Sequence, residues 1–319
     1  MRIHFWGTRG SLPAPLDAQG VREKVRAALV AARERRFSSD EEIDAFVADL
    51  PFLVSGTFGG NTSCVQIDGG SAEYLVCDAG SGLRVFGNRM LAEHGPGKPQ
   101  TYNILLSHLH WDHIMGFPFF TPAYIPGNTI RILGCHSGLR EALQRQHGAP
   151  SFPVDFAGLG AKLEFVQLEP GREFDVAGLK VVGMKQHHGG DSYGYRISDG
   201  KHVVLYATDA EHKFKTIDER APFVEHFREA DLVIFDAMYS LGDTVSVKED
   251  WGHSSNIVGV DLAHAAGAKH IVLYHHEPAY SDALIARVLE ETRRYEEIIR
   301  DGHADLRVTS AYDGLEIEL

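Results

Sequence analysis

Residues 107–113 read Ser-His-Leu-His-Trp-Asp-His and follow directly on the run Tyr102-Asn103-Ile104-Leu105-Leu106. An apolar run of that length, ending in polar residues, is the signature of a buried strand. His108 and His110 are two residues apart, so on extended backbone they point to the same side. Asp112 and His113 follow in the turn. Imidazole and carboxylate are ligands suited to zinc and similar divalent ions. Four such groups in six residues at a strand end cost stability unless something binds them. The segment therefore predicts a metal site at the mouth of a sheet.

Eight further runs have the same strand character: 3–7, 63–68, 74–80, 130–134, 180–187, 202–209, 231–237 and 270–276. They are rich in Val, Ile and Leu and end in Gly, Asp or His. Helical patterns lie between them. Ser281 is placed to cap a helix carrying Ile285, Val288, Leu289, Thr292 and Ile299 on one face, with Gly302 as its stop. Strands and helices mixed along the whole chain predict a layered α/β architecture.

Segment 16–53 stands apart. Val21, Val25, Leu29 and Ala32 form one helical stripe. Ser39 and Glu42 form a capping box ahead of Ile43, Phe46, Val47 and Leu50. This predicts a helical pair inserted between two strand regions, a decoration or a homodimer contact ahead of a lid.

The chain has 319 residues, 44% of them apolar and 24% charged, which is ordinary for a globular protein. A single domain spanning 1–319, with the insertion at about 16–53, is the expectation. No run approaches the roughly 18 apolar residues of a membrane span, and the N-terminus lacks the apolar stretch of a signal peptide. Cys64, Cys77 and Cys135 are odd in number and form no CxxC pair. They read as small buried hydrophobes in a reduced, cytoplasmic protein. The net charge of −13 repels polyanions, so stable nucleic-acid binding is not expected. The 18 histidines, many in tight groups, point to metal chemistry instead.

The segment His108 to His113 resembles the HxHxDH signature of the metallo-β-lactamase superfamily. Other stretches resemble, in order, the later motifs of its ribonuclease Z and cyclic phosphodiesterase branch. In HHGGDSYGYRI (187–197) the spacing to Gly194-Tyr195 selects His188 rather than His187 as ligand. YATDAE (206–211) makes Asp209 the carboxylate bridging two metals. LYHHEP (273–278) offers His275, with His276 as the alternative. FWGTRGS (5–11), GGNTSCV (59–65) and CDAGSGL (77–83) are similar to the family's N-terminal half, where Asp78 would orient a metal histidine. WGHSS (251–255) resembles the motif whose histidine reaches a substrate phosphate, here His253. Asp236 falls where ribonuclease Z proteins carry an acidic residue after a strand.

The resemblance implies an αββα sandwich of two central mixed sheets flanked by helices. It implies two divalent ions, zinc expected and manganese the alternative. His108, His110 and His188 would hold one ion, and Asp112, His113 and His275 the other. Asp209 would bridge them, with a water or hydroxide between as nucleophile. Asp112 and His253 would act in catalysis. A helix is expected after WGHSS, with Ser254 or Ser255 as its cap. The implied activity is hydrolysis of a small cyclic or linear phosphodiester, such as a cyclic nucleotide, so the partner is a small anionic substrate. The alternatives are a thioester or lactone hydrolase of the same fold, and a non-catalytic, metal-containing nucleotide sensor. Transfer RNA processing is disfavoured by the acidic charge and by the lack of a long Gly/Pro-rich arm.

Overall fold

Strands whose residues alternate between two apolar layers can be covered on both faces, and this chain uses that pattern twice. The computed structural model describes residues 1–214, 216–239, 252–300, 302 and 304–319. Among them, the first sheet contains β1 (Arg2–Gly7), β2 (Cys64–Asp68), β3 (Tyr74–Cys77), β4 (Thr101–Leu106), β5 (Thr129–Gly134), β6 (Lys162–Gln167) and β14 (Glu316–Glu318). Its order is β14-β1-β2-β3-β4-β5-β6. The second contains β7 (Glu173–Val176), β8 (Leu179–Gln186), β9 (Ser192–Ser198), β10 (Val203–Ala207), β11 (Leu232–Asp236), β12 (His270–Tyr274) and β13 (Arg307–Ser310), in the order β13-β12-β11-β10-β9-β8-β7. Each sheet is parallel in one half, β3 to β6 or β10 to β13, and antiparallel in the other.

The helices are α1 (Ala18–Ala32), α2 (Asp40–Asp49), α3 (Phe52–Ser55), α4 (Gly82–His94), α5 (Trp111–Ile114), α6 (Leu139–Gln146), α7 (Ile217–Phe227), α8 (Asn256–Ala266) and α9 (Asp282–Ile299). On β10, Val204 and Tyr206 face the layer between the sheets, while Leu205 and Ala207 face α7 and α8. On β11 the same division separates Leu232 and Ile234 from Val233 and Phe235. On β4, Leu105 enters the central layer and Tyr102, Ile104 and Leu106 face α4. Burying each such side chain contributes roughly 1.5–3 kcal/mol, so the period-2 pattern fixes the register of every central strand. The result is the expected αββα sandwich.

The nine strands read from the sequence are all present. Ser281 caps α9 by accepting from Leu284 N at 3.3 Å, and Ile285, Val288 and Thr292 are buried. All three cysteines are free and buried. Among the described residues no helix is long and apolar enough to cross a membrane.

The insertion forms helices where its stripes lie. Ser39 Oγ accepts from Glu42 N, while the Glu42 carboxylate reaches back to Ser38 N at 2.8 Å rather than to Ser39 itself. The short α3 was not expected. No residue of α1 or α2 is buried, so the stripes do not pack on the body.

Candidate metal centre

The strand ends of both sheets converge on one edge, where α/β folds gather their ligands. β3 delivers Asp78, β4 delivers His108 to His113, β8 delivers His188, β10 Asp209, β11 Asp236 and β12 His275. Asp78, Asp209 and His275 have φ of 62°, 49° and 61°, in the left-handed region that non-glycine residues seldom occupy. Three such residues at strand ends turn their side chains sharply into one point, and strain of this kind gathers at functional sites. A close backbone contact closes the edge. A Cβ on Gly116 would lie 1.9 Å from Gly80 O, so only glycine lets α5 approach the turn after β3. Ala79 N donates to His113 O at 2.8 Å across that contact.

His113 Nε2 stands 3.2 Å from each of Asp112 Oδ2, Asp209 Oδ1 and His275 Nε2. His275 Nε2 stands 3.2 Å from Asp112 Oδ2 and 3.3 Å from Asp209 Oδ1. Four ligand atoms bonded tetrahedrally to zinc at about 2.0 Å stand about 3.3 Å apart. These separations are five of the six edges of such a tetrahedron, drawn by residues of three different strand ends.

A second group lies beside the first. His188 Nε2 is 3.0 Å from His110 Nδ1, and His108 Nε2 and His188 Nε2 lie 3.6 and 3.7 Å from Asp209 Oδ2. Asp209 thus turns one oxygen to each group. His108 Nε2 is buried and has no hydrogen-bond partner, an arrangement that suits a ligand atom and is otherwise costly.

On three of the five histidines the outward nitrogen is held by the protein. His113 Nδ1 meets Asp78 Oδ2 at 2.7 Å, His108 Nδ1 meets Ser107 Oγ at 3.0 Å, and His188 Nδ1 donates to Gly252 O at 2.7 Å. Asp78 also accepts from Ser107 N, Ser107 Oγ and Tyr206 Oη, each at 2.7 Å. Partners of this kind fix ring orientation and tautomer in metal sites.

The electrostatics call for positive charge. Burial works against the Asp209 and Asp112 charges, yet the surrounding imidazoles hold both carboxyls well below the ordinary range. Burial also disfavours a charged His113, but Asp209, Asp112 and Asp78 outweigh it and raise its pKa. Burial and the neighbouring imidazoles lower those of His108 and His110, keeping them in the neutral form that binds metal. A cation among these atoms would supply the charge that otherwise falls on His113 as a proton. The residues present therefore fit divalent ions.

His276 lies elsewhere. It is buried with Nε2 on Ala311 O at 2.9 Å, and burial pushes its pKa down to about 3. His187 lines a groove beside the cluster, about 650 Å³ in volume, together with His110, Lys185, Asp191 and Glu211. His253 Nδ1 is 2.8 Å from Asp236 Oδ2 and 3.9 Å from Asp209 Oδ2. Burial lowers the His253 pKa, but Asp236, then Asp209 and Asp112, raise it to about 9. Trp251 lies outside the described residues. Ser255 is the N-cap residue of α8 but makes no side-chain cap bond, while Ser254 Oγ donates to Ala210 O.

Some contributors were not visible in the sequence. Ser11 N donates to Asp112 Oδ2 at 2.8 Å. Gly10 lies against the His275 ring, where a Cβ would come within 2.6 Å. Arg9 anchors that loop by donating to the carbonyls of Gly59, Glu277 and Tyr280. All three lie in the FWGTRGS motif, whose resemblance carried no residue roles.

A family model for the beta-lactamase superfamily domain matches residues 73–276, the span that holds every residue of both groups. The chain belongs to that superfamily. Its relatives include a Ribonuclease Z of Geobacillus kaustophilus (strain HTA426), 21% identical over 60% of this chain and 75% of that protein. The probable metallo-hydrolase YhfI of Bacillus subtilis (strain 168) is 25% identical over 71% of this chain and 86% of its own length. In structure, YhfI superimposes with a TM-score of 0.64 at 16% identity, covering 100% of this chain and 99% of that one. Zn(2+)-bound PqqB from Methylobacterium extorquens gives a TM-score of 0.63 at 14% identity, covering 100% of both chains. These likenesses show the metallo-β-lactamase fold, and the sequence relatives agree with the ribonuclease Z-like branch. Superfamily membership and the His/Asp cluster together support a metal-dependent hydrolase. Residues 16–53 fall outside the family match.

Proposed function

We propose that this member of the superfamily hydrolyses a small, anionic phosphodiester, cyclic or linear. His108, His110 and His188 would hold one divalent ion, Asp112, His113 and His275 the other, and Asp209 both. Zinc is favoured by the histidine-rich ligand set and by the tetrahedral spacing of the ligand atoms around His113. Bound divalent ions would supply a water acidic enough to attack near neutral pH and would draw charge from a phosphoryl oxygen.

The observation that carries the reading is the buried His253–Asp236 pair beside the cluster. With Nδ1 committed to the carboxylate, Nε2 is the nitrogen left for a substrate. The Asp236 carboxylate favours a proton on that ring against the cost of burial. An alkoxide leaving a phosphodiester needs that proton. A thiolate leaving a thioester does not, because free thiols ionise near pH 8.5. A dedicated buried acid therefore favours the phosphodiester over the thioester. Asp112 Oδ2 accepts from Ser11 N and stands among the His113 ligand atoms, so it would serve as a ligand rather than as the base. The groove over His110, His187 and His188 has room for a nucleotide-sized ligand. Similarity to a ribonuclease is in keeping with this chemistry.

The test is a substrate panel with the zinc- or manganese-loaded chain: cyclic nucleotides, a nitrophenyl phosphodiester, a thioester and a lactone. Turnover of phosphodiesters above the other two classes is expected. Faster thioester or lactone hydrolysis, or nucleotide binding without turnover, overturns the proposal.

A further inference from the structure

We infer that the inserted helices form a self-complementary surface for a second copy of this chain. Eleven of the seventeen large apolar side chains exposed among the described residues lie between Leu12 and Leu53. On α1, Val21, Val25 and Leu29 are 49%, 54% and 66% exposed, and they form a single i, i+4, i+8 stripe. On α2, Ile43 and Val47 form a second stripe. Exposed apolar patches of this extent mark interaction sites.

The two helices are opposite in charge. α1 and the turn after it carry Arg22, Lys24, Arg26, Arg33, Arg35 and Arg36 against Glu23 and Glu34. α2 carries Asp40, Glu41, Glu42, Asp44 and Asp49 and no basic residue. Among the described residues, no ion pair within 4 Å joins α1 to α2 in one copy. The basic helix packs chiefly on α3 instead. Lys24 is spent at the base, where Nζ reaches Leu53 O, Gly56 O and Asp282 Oδ2 at 2.8, 2.7 and 2.9 Å. That anchor fixes α1 on the body while its apolar stripe and remaining arginines stay outside.

A surface with an apolar stripe beside positive charge, and a second stripe beside negative charge, fits itself after a two-fold rotation. Basic α1 of each copy then meets acidic α2 of the other, as an isologous interface requires. α1 is about 22 Å long at 1.5 Å per residue, so both pairings fit side by side in one four-helix contact. The inference rests on the insertion alone and stands apart from the activity proposed above.

The test uses two charge-reversed full-length chains, R22E/R26E/R36E and E41K/D44K/D49K, with sedimentation as readout and circular dichroism as a check of folding. The parent is expected to be a dimer at micromolar concentration in about 0.1 M salt, where exposed charges still act over about 10 Å. Each reversed chain alone places like charges in both pairings and should sediment as a monomer. Mixed together, they oppose unlike charges in both pairings, and a heterodimer should form. A monomeric parent, dimers that survive either reversal, or a mixture that stays monomeric would each overturn the inference, whatever else the helices bind.

Discussion

His253 Nδ1 lies 2.8 Å from Asp236 Oδ2, and both residues are buried. This pairing leaves Nε2 as the ring nitrogen open to a ligand and opposes loss of the proton. If His253 protonates the leaving oxygen, His253→Ala lowers kcat by about 10²–10⁴ on a phosphodiester with an alkoxide leaving group. The loss shrinks for nitrophenolate, which leaves without help, and metal content is unchanged. The pH profile has a defined sign. His253 has a raised pKa of about 9, so its acid form is present below that value and is lost as pH rises through it. Asp236→Asn removes the principal raising group while burial persists, so the alkaline limb moves to lower pH. Equal losses on good and poor leaving groups, or a limb that does not move, would show that His253 anchors substrate rather than protonates it.

Asp209 presents Oδ1 to His113 and His275, and Oδ2 to His108 and His188. One side chain therefore serves both groups. Asp209→Ala is expected to reduce bound metal in both, whereas His110→Ala touches only the group it belongs to. Elemental analysis of the purified variants decides this. An Asp209→Ala protein with the parent's full metal content would mean that the carboxylate is not a ligand.

Legibility in the sequence followed burial. The nine strands read from the sequence are apolar on both faces or nearly so. Four strands carry no such apolar run, β6, β7, β13 and β14, and they occupy all four outer edges of the two sheets. Edge strands are short and carry charge, as Lys162 and Glu164, Glu173 and Asp175, Arg307, and Glu316 and Glu318 do here. The fifth, β9, is internal, but Gly194 and its serines disguise it as a turn. The metal-facing side chains were legible because each sits where an apolar run stops. Ser11, Gly10 and Tyr206 were not, because their roles arise from contacts across the sandwich that no local pattern records. The insertion's helices were legible from periodicity and a cap, yet periodicity does not say what a stripe will face.

Asp78 accepts four hydrogen bonds, from Ser107 N, Ser107 Oγ, Tyr206 Oη and His113 Nδ1. An amide at this position keeps one accepting oxygen and turns an NH₂ toward donors. Asp78→Asn is therefore expected to weaken metal binding by about 10- to 100-fold, the usual effect of losing an orienting partner. Competition with a chelator measures this. Tyr206→Phe removes only one of the four donors and should produce a smaller shift in the same direction. If Asp78→Asn holds metal as tightly as the parent, the hydrogen bond to His113 does not set that ring's position.

Gly10 separates a local from a global role for the loop after β1. Its backbone conformation does not require glycine, since its φ is not positive. Space does require it: a Cβ would lie 2.6 Å from both Cε1 and Nδ1 of His275. That ring is fully buried and held at the end of β12, so it has little room to yield. Gly10 N also donates to His276 O, and Ser11 N to Asp112 Oδ2, so the loop cannot retreat without releasing Asp112. Gly10→Ala is therefore expected to displace His275 or Asp112, both of which face the His113 group, while leaving His108, His110 and His188 in place. Metal content should fall in that group first, and kcat should drop with it. Thermal unfolding of the metal-free proteins serves as the control. The two curves should nearly coincide if the damage is confined to the site. A large loss of apo-protein stability would instead assign Gly10 to packing, and normal metal content with normal turnover would show that the His275 ring moves aside at little cost.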